Sequence, residues 1–184
     1  MSNINNSIPQ NKASQDQITP DMALDLLMKG NERFTNSDKF NRDDKDFIEA
    51  TSNGQWPFAA VLSCIDSRVP VETVFDQGIG DVFSARVAGN IVNGDLLGSL
   101  EYATLVAKSK LIMVLGHTSC GAVKSACQRP YVGNITGLLG RINPAVEEVE
   151  KEMTNDPENP DFTIKVAAVN VRKTIENMLC QSPI

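Results

Sequence analysis

The pattern of apolar and polar positions along the chain changes near residue 58. Before that point, apolar side chains recur at helical spacing in a helix that begins at Thr19 and in a shorter helix near 43–50. After it, short continuous apolar runs appear, which are typical of strands covered on both faces of a sheet. The runs that we interpret as strands are 58–62, 82–87 and 111–115.

Segments with helical spacing separate and follow these runs, at 69–76, 94–108, 121–127, 144–153 and 162–180. Because strands alternate with helices, the chain is predicted to have an α/β fold with a mainly parallel central sheet flanked by helices. An apolar stripe along the last helix predicts packing against the core or an interface. The members of this stripe are Ile164, Ala168, Val171, Ile175 and Leu179.

The composition of the chain indicates one folded domain preceded by an arm. Residues 1–18 are rich in Asn, Gln and Ser, and they predict a flexible or extended N-terminal arm. Residues 19–184 contain no linker or internal repeat, and we expect them to form a single α/β domain. With 184 residues and 41% apolar content, the chain is long enough to bury a sizeable core.

The charge and the N-terminal residues narrow the class of partner and the compartment. A net charge of -6 argues against nucleic acid or an anionic membrane surface as the main partner. No apolar run is long enough to span a bilayer, and the first residues lack the basic and apolar regions of a signal peptide. These features predict a cytoplasmic protein, or a periplasmic one if the true N-terminus is not shown.

Cysteine and histidine side chains follow two of the predicted strands. Cys64 comes directly after the first strand, and His117 and Cys120 come after the third. Because ligands in parallel α/β sheets gather at the carboxyl ends of strands, these three side chains are expected to converge. Two thiolates and one imidazole make a zinc site with one open position, which is typical of a catalytic metal. The alternative is a pair of buried thiols beside a hydrogen-bonded histidine.

Asp66 and Arg68 lie between the two halves of this predicted site. Side chains two residues apart in an extended turn can point the same way and form a charge-assisted pair. Beside a metal, Asp66 can orient a bound water, or it can occupy the fourth position as a ligand and close the site. Arg68 would decide between these states by holding or releasing the carboxylate. The alternative is an ordinary ion pair in a loop.

The segment Cys64-x-Asp66-x-Arg68, followed by His117-x-x-Cys120, resembles the β-class carbonic anhydrases. The resemblance implies a zinc enzyme, a carbonate dehydratase of the lyase class. It implies reversible hydration of carbon dioxide to bicarbonate and a proton by a zinc-bound hydroxide. Cys64, His117 and Cys120 would be the zinc ligands, and Asp66 with Arg68 would be the catalytic dyad.

The resemblance extends over residues 19–184 and implies a substrate pocket and a homodimer. The positions that match residues lining the family's pocket are Gln55, Phe83 and Tyr102. The positions that match the floor of the pocket are Ala88 and Gly89. The family builds this pocket across a dimer interface, with a projecting N-terminal helical arm around the partner, which here is the helix that begins at Thr19. Compared with the family, the chain is expected to lack a final helix and a C-terminal strand after Ser182-Pro183-Ile184.

Other functions remain open from the sequence. A zinc hydrolase of a related small molecule, such as carbon disulfide or carbonyl sulfide, could use the same ligands and would differ in pocket access. A noncatalytic, zinc-stabilised binding module would need a closed site with four ligands. A zinc oxidoreductase with two cysteines and a histidine is disfavoured, because no Gly-x-Gly-x-x-Gly segment follows a strand.

Overall fold

The computed structural model describes residues 6–184, and its contacts group these residues into two compact units. The first unit comprises 6–61, 70–85 and 98–113, and the second comprises 62–69, 86–97 and 114–184. The single-domain organisation expected for 19–184 stays a prediction. Within the described residues, no helix combines the length and the apolar character that crossing a membrane requires.

The predicted parallel sheet is confirmed. Its strands in residues 6–184 are β1 (Ala59–Ser63), β2 (Val82–Arg86) and β3 (Leu111–Leu115), in the order β2-β1-β3. All residues of β1 are buried, as its uninterrupted apolar run predicts for a central strand, whereas β2 and β3 are only partly buried. The last residues of each strand belong to the second unit.

The first unit contains three helices before the sheet, α1 (Lys12–Gln17), α2 (Pro20–Thr35) and α3 (Asp44–Thr51), and α4 (Val71–Val74) after β1. Thr19 caps α2 as predicted, since its hydroxyl accepts a hydrogen bond from the Met22 N–H. At Gly30 a Cβ would lie 1.7 Å from the carbonyl oxygen of Phe75. Only glycine therefore lets α2 approach the end of α4 this closely.

The N-terminal arm differs from the extended or flexible segment predicted for 1–18, of which residues 1–5 lie outside the described part. Residues Lys12–Gln17 form α1, which a capping box at Asn11 begins. Gln15 is buried, and its Nε2 donates hydrogen bonds to the carbonyl oxygens of Pro57 and Ala107. Polar composition suggested mobility here, but the amide side chains are the groups that bond to loop carbonyls.

The remaining helices are α5 (Gly94–Glu101), which continues into a π-helical turn (Tyr102–Val106), and α6 (Gly121–Gln128), α7 (Gly133–Gly140), α8 (Asn143–Val149) and α9 (Pro160–Gln181). Helices α6 to α9 lie in the second unit, where α8 packs against α9. Their apolar side chains form a buried cluster that also contains Cys64 and Cys120. The glycine-rich helix α7 has no counterpart among the predicted helices.

The prediction that the apolar stripe of α9 packs into the core of this chain is wrong. Ile164, Ile175 and Leu179 are 44%, 41% and 78% exposed. The buried face of α9 is instead Phe162, Val166, Asn170, Thr174 and Met178. Two polar residues on that face interrupt its apolar pattern, so the outer stripe gave the stronger sequence signal. The alternative expectation for this stripe, an interface, stays a prediction.

Candidate metal centre

The two cysteines and the histidine predicted as ligands lie together in the second unit. Cys64 directly follows β1, and Cys120 is the residue that precedes α6. Donor atoms of Cys64, His117 and Cys120 all lie within 4.8 Å of one another. The two sulfur atoms are 3.9 Å apart and are not joined in a disulfide, which needs about 2.05 Å.

His117 presents one ring nitrogen without a hydrogen-bond partner. Its Nδ1 lies 2.9 Å from the carbonyl oxygen of Thr118, which can only accept, so Nδ1 carries the proton. Nε2 is buried, and among the described residues it has no hydrogen-bond partner. A buried polar atom without a partner is costly unless a ligand satisfies it. In its neutral form, this ring offers the Nε2 lone pair, as metal-binding histidines do.

The two thiols complete a donor set that fits zinc. Cys64 and Cys120 are only 4% and 5% exposed. Burial raises the pKa of the Cys120 thiol, and a nearby cation is what would favour the thiolate. Two soft sulfur donors and one imidazole are ligands that zinc prefers, and three protein ligands leave one of its four positions open. The residues present therefore fit the metal that the sequence predicts.

Asp66 and Arg68 form the predicted pair beside these donors. Arg68 Nε donates to Asp66 Oδ1 at 2.9 Å and Nη2 donates to Oδ2 at 2.7 Å, so the contact is bidentate. Arg68 Nη2 also donates to the carbonyl oxygen of Ser119 at 3.1 Å. This bond links the pair to the second ligand segment, residues 117–120. The side-chain and backbone hydrogen bonds from Arg68 hold the pKa of Asp66 well below its usual range.

The carboxylate of Asp66 lies close to the metal donors. Its Oδ2 is 3.9 Å from His117 Nε2, although Asp66 is not part of the three-residue donor group. Ser119, between the two ligands of the second segment, has a φ of 54°, which is an uncommon conformation for a residue with a side chain. This turn aims the Ser119 carbonyl at Arg68.

Arg86 holds the backbone of the first ligand segment, residues 64–68. Its Nε donates to the carbonyl oxygen of Cys64 at 2.9 Å, and its Nη2 donates to the carbonyl oxygen of Asp66 at 2.5 Å. No motif in the sequence marks Arg86. Bonds to backbone carbonyls leave no mark in a sequence pattern, so this contact could not be predicted.

The five residues predicted to line the substrate pocket are divided between the two units. Gln55, Phe83 and Tyr102 belong to the first unit, where Gln55 is exposed in a loop, Phe83 is half-buried on β2 and Tyr102 is 54% exposed. Ala88 and Gly89 belong to the second unit, and the Gly89 N–H donates to Cys64 Sγ at 3.3 Å. Of these five residues, Gly89 is the one for which the structure gives a contact with a metal donor. A pocket that contains all five stays a prediction.

Comparison with known proteins identifies the family. The family model described as carbonic anhydrase matches residues 59–184, which include both ligand segments. The chain therefore belongs to the β-carbonic anhydrase family, a family of zinc enzymes, and the predicted resemblance is confirmed.

Individual relatives agree with this assignment. Carbonic anhydrase 2 of Mycobacterium tuberculosis is 41% identical over 131 residues, which make up 71% of this chain and 62% of that protein. The chain thus spans less than two thirds of the length of this relative. The structure of the β-carbonic anhydrase CcaA has a TM-score of 0.69 at 26% identity and covers 87% of this chain and 74% of its own. A tetrameric β-carbonic anhydrase of Sordaria macrospora shares the fold, with a TM-score of 0.69 at 24% identity and coverage of 89% and 80%.

Proposed function

We propose that this protein catalyses the reversible hydration of carbon dioxide to bicarbonate and a proton as a zinc enzyme. The observation that carries the proposal is the convergence of Cys64, His117 and Cys120 within 4.8 Å, with a buried histidine nitrogen that has no partner in the described residues. These three residues would hold the zinc. Membership of the β-carbonic anhydrase family supports the same assignment.

Asp66 is the residue that would accept a hydrogen bond from a water molecule beside the metal. When bound, zinc supplies Lewis acidity, which lowers the pKa of a coordinated water and makes a nucleophile available at neutral pH. Asp66 remains ionised at that pH, because Arg68 keeps its pKa low. Its Oδ2 therefore acts only as an acceptor, and it would orient the attacking water toward carbon dioxide.

Arg68 would keep the site open. Both carboxylate oxygens of Asp66 accept hydrogen bonds from Arg68, and Arg68 is itself fixed by the Ser119 carbonyl. A carboxylate held in this way is not free to become the fourth ligand. Release of Asp66 by Arg68 would produce the closed state, in which Asp66 occupies that position.

Proton release must use groups other than a second imidazole. The chain has one histidine, His117, and the proposal commits it to the metal. The proton would therefore leave through Asp66 and water to a buffer molecule in solution.

The substrate pocket and the assembly are part of the same proposal. Gln55, Phe83 and Tyr102 would line the pocket, with Ala88 and Gly89 as its floor. We propose a homodimer through the N-terminal helices, which is supported by Leu24 and Met28 on α2, since these side chains are 43% and 55% exposed. We also propose a cytoplasmic location, which is supported by the free thiols of Cys127 and Cys180.

Stopped-flow hydration of carbon dioxide, measured across pH on protein of known zinc content, tests the activity. We expect hydration that is proportional to bound zinc. Stoichiometric zinc without hydration at any pH would contradict the proposal. Consumption of carbon disulfide or carbonyl sulfide in place of carbon dioxide would favour the related hydrolase, and a metal with four protein ligands would favour a binding module.

A further inference from the structure

Asn170 is a polar residue on the buried face of α9. It lies one turn from Val166 and one turn from Thr174, and only 2% of its surface is exposed. A buried amide is unfavourable unless its donors and acceptors find partners. Asn170 Nδ2 donates a hydrogen bond to the carbonyl oxygen of Gly89 at 2.8 Å. This bond links α9 to the turn that follows β2.

Gly89 is also hydrogen-bonded to Cys64, one of the proposed metal ligands. Its N–H donates to Cys64 Sγ at 3.3 Å, and both residues are buried. Gly89 has a φ of 70°, and a Cβ at this position would lie 2.5 Å from Ile142 Cδ1. The positive φ favours glycine here, and a larger residue would also have to displace the end of the Ile142 side chain. Without a side chain, Gly89 has no packing of its own to fix its orientation, so the Asn170 bond holds its carbonyl end.

The same helix also packs against the second ligand segment. Gly116 immediately precedes His117, and a Cβ at Gly116 would lie 2.6 Å from Val171 Cγ2. Val171 is the residue next to Asn170, so adjacent positions of α9 contact the backbone beside Cys64 and the backbone beside His117. Helix α9 therefore contacts backbone next to both ligand segments.

We propose that Asn170 is a positioning residue of the metal centre, which acts through the Gly89 backbone on Cys64. The inference rests on the proposed zinc ligation. By fixing Gly89, Asn170 keeps an N–H directed at the Cys64 sulfur, where it stabilises the thiolate and orients its lone pairs toward the metal. Asn170 contacts neither the substrate nor the metal in this account.

Substitution of Asn170 tests the proposal by metal affinity and by a spectrum. Asn170→Leu removes the amide while it keeps the number and branching of the side-chain heavy atoms. Asn170→Ser is the second variant, because the serine hydroxyl can form a hydrogen bond within its own helix. It provides the test if the leucine variant does not fold. Thr174→Val is the matched control, since Thr174 is also buried on the same face, one turn further along.

Zinc affinity is measured by competition with a chelator, and the sulfur-to-metal charge-transfer band is recorded on cobalt-substituted protein. We expect both Asn170 variants to bind zinc about 10- to 100-fold more weakly and to shift the band. Thr174→Val should leave the affinity and the band unchanged even if it lowers the melting temperature.

Three outcomes would overturn the inference. The first is a folded Asn170 variant with unchanged zinc affinity and an unchanged charge-transfer band. The second is a change of zinc affinity or band in Thr174→Val as large as that in the Asn170 variants. The third is a failure of both Asn170 variants to fold while Thr174→Val folds, which would show that Asn170 stabilises the fold. Failure of the unsubstituted protein to bind zinc or cobalt would contradict the proposed function itself. The two proposals therefore fail in distinguishable ways.

Discussion

Two aspartates in this protein are both paired with arginines but have different surroundings. Asp66 forms a bidentate pair with Arg68, whose side chain is 63% exposed. Asp76 is 3% exposed and bonds to Arg33 and Arg42, and both guanidinium groups lie over the ring of Phe40. Asp66 lies beside buried sulfur and nitrogen donors, whereas Asp76 lies inside a packed ionic cluster.

The pKa of neither carboxyl distinguishes a functional from a structural role. Burial acts to raise the pKa of Asp76, but hydrogen bonds from Arg33 and Arg42 outweigh burial and lower it. The pKa of Asp66 is lowered as well, by Arg68. The difference is the unpartnered Nε2 of His117 close to Asp66. In this protein, an unpartnered nitrogen grouped with two thiols indicates the site better than a perturbed acid does.

Removal of a metal ligand should have the largest effect. Cys64→Ser replaces a soft sulfur donor by a hydroxyl that binds zinc weakly near neutral pH. We expect loss of bound zinc and a fall of carbon dioxide hydration to the uncatalysed level, measured by elemental analysis and stopped-flow kinetics. Cys127→Ser is the control, because Cys127 is also buried but is not in the donor group. Full zinc occupancy in Cys64→Ser would refute the ligand assignment.

Asp66→Asn should separate catalysis from stability. The amide keeps the shape of the side chain but loses the negative charge and the ability to take up a proton. We expect turnover to fall by about 10²- to 10⁴-fold, with zinc content and melting temperature nearly unchanged. A normal turnover number for Asp66→Asn would show that this pair is only a loop ion pair.

Asp76→Asn should show the opposite behaviour. It leaves two arginines without their buried counter-ion, which we expect to lower the free energy of unfolding by about 3–5 kcal/mol while the zinc content per folded molecule stays the same. Because the folded pKa of Asp76 is lowered, its stabilisation is present above the unfolded value of 3.8 and is lost as the pH falls below it. Denaturant titrations of both proteins from pH 7 to pH 3 measure this difference, which should shrink in acid. A difference that grew in acid would contradict the assignment.

Turnover should depend on the buffer. The sequence has one histidine, and we propose this residue as a metal ligand, so we expect proton release to rely on acceptors in solution. We expect the rate of hydration to rise with buffer concentration until another step limits it. Rates that ignore the buffer, measured where the chemical step is not limiting, would indicate an internal proton carrier.

Asp81 provides a third aspartate that should act in the opposite sense to Asp76. Burial raises the pKa of Asp81 to about 7, and its Oδ1 has no partner within residues 6–184. Since its folded pKa is raised, stability is lost as the pH rises from 3.8 through about 7. Asp81→Asn should therefore stabilise the protein at pH 8 by on the order of 1 kcal/mol, with less effect at pH 4. Equal melting temperature changes at both pH values would count against this account.

The sequence predicted the strands and the metal donors because both are carried by contiguous patterns. Two of these patterns can be read without knowledge of the packing: the uninterrupted apolar run of β1 and the short spacing between His117 and Cys120. The buried face of α9 was missed, since Asn170 and Thr174 lie within it and the outer face is more apolar. Residue type alone shows neither the partner of a buried amide nor that of an arginine that bonds to carbonyls.

The N-terminal segment shows that a polar composition can also hide buried, hydrogen-bonded side chains. Gln15 was grouped with a polar arm, although its amide bonds to two loop carbonyls and is buried. A polar composition predicts mobility only where no complementary backbone groups lie within reach. Long-range hydrogen bonds of this kind depend on the folded arrangement, and no local pattern encodes them.

We expect Cys64, His117 and Cys120 to hold zinc and to leave one of its positions open. X-ray absorption at the zinc edge of the zinc-loaded protein at neutral pH tests this most directly, with Asp66→Asn measured alongside. We expect two sulfur neighbours at about 2.3 Å, one imidazole nitrogen at about 2.0–2.1 Å and one light-atom neighbour that persists in Asp66→Asn. Three or more sulfur neighbours, a second imidazole, or loss of the fourth neighbour in Asp66→Asn would contradict it.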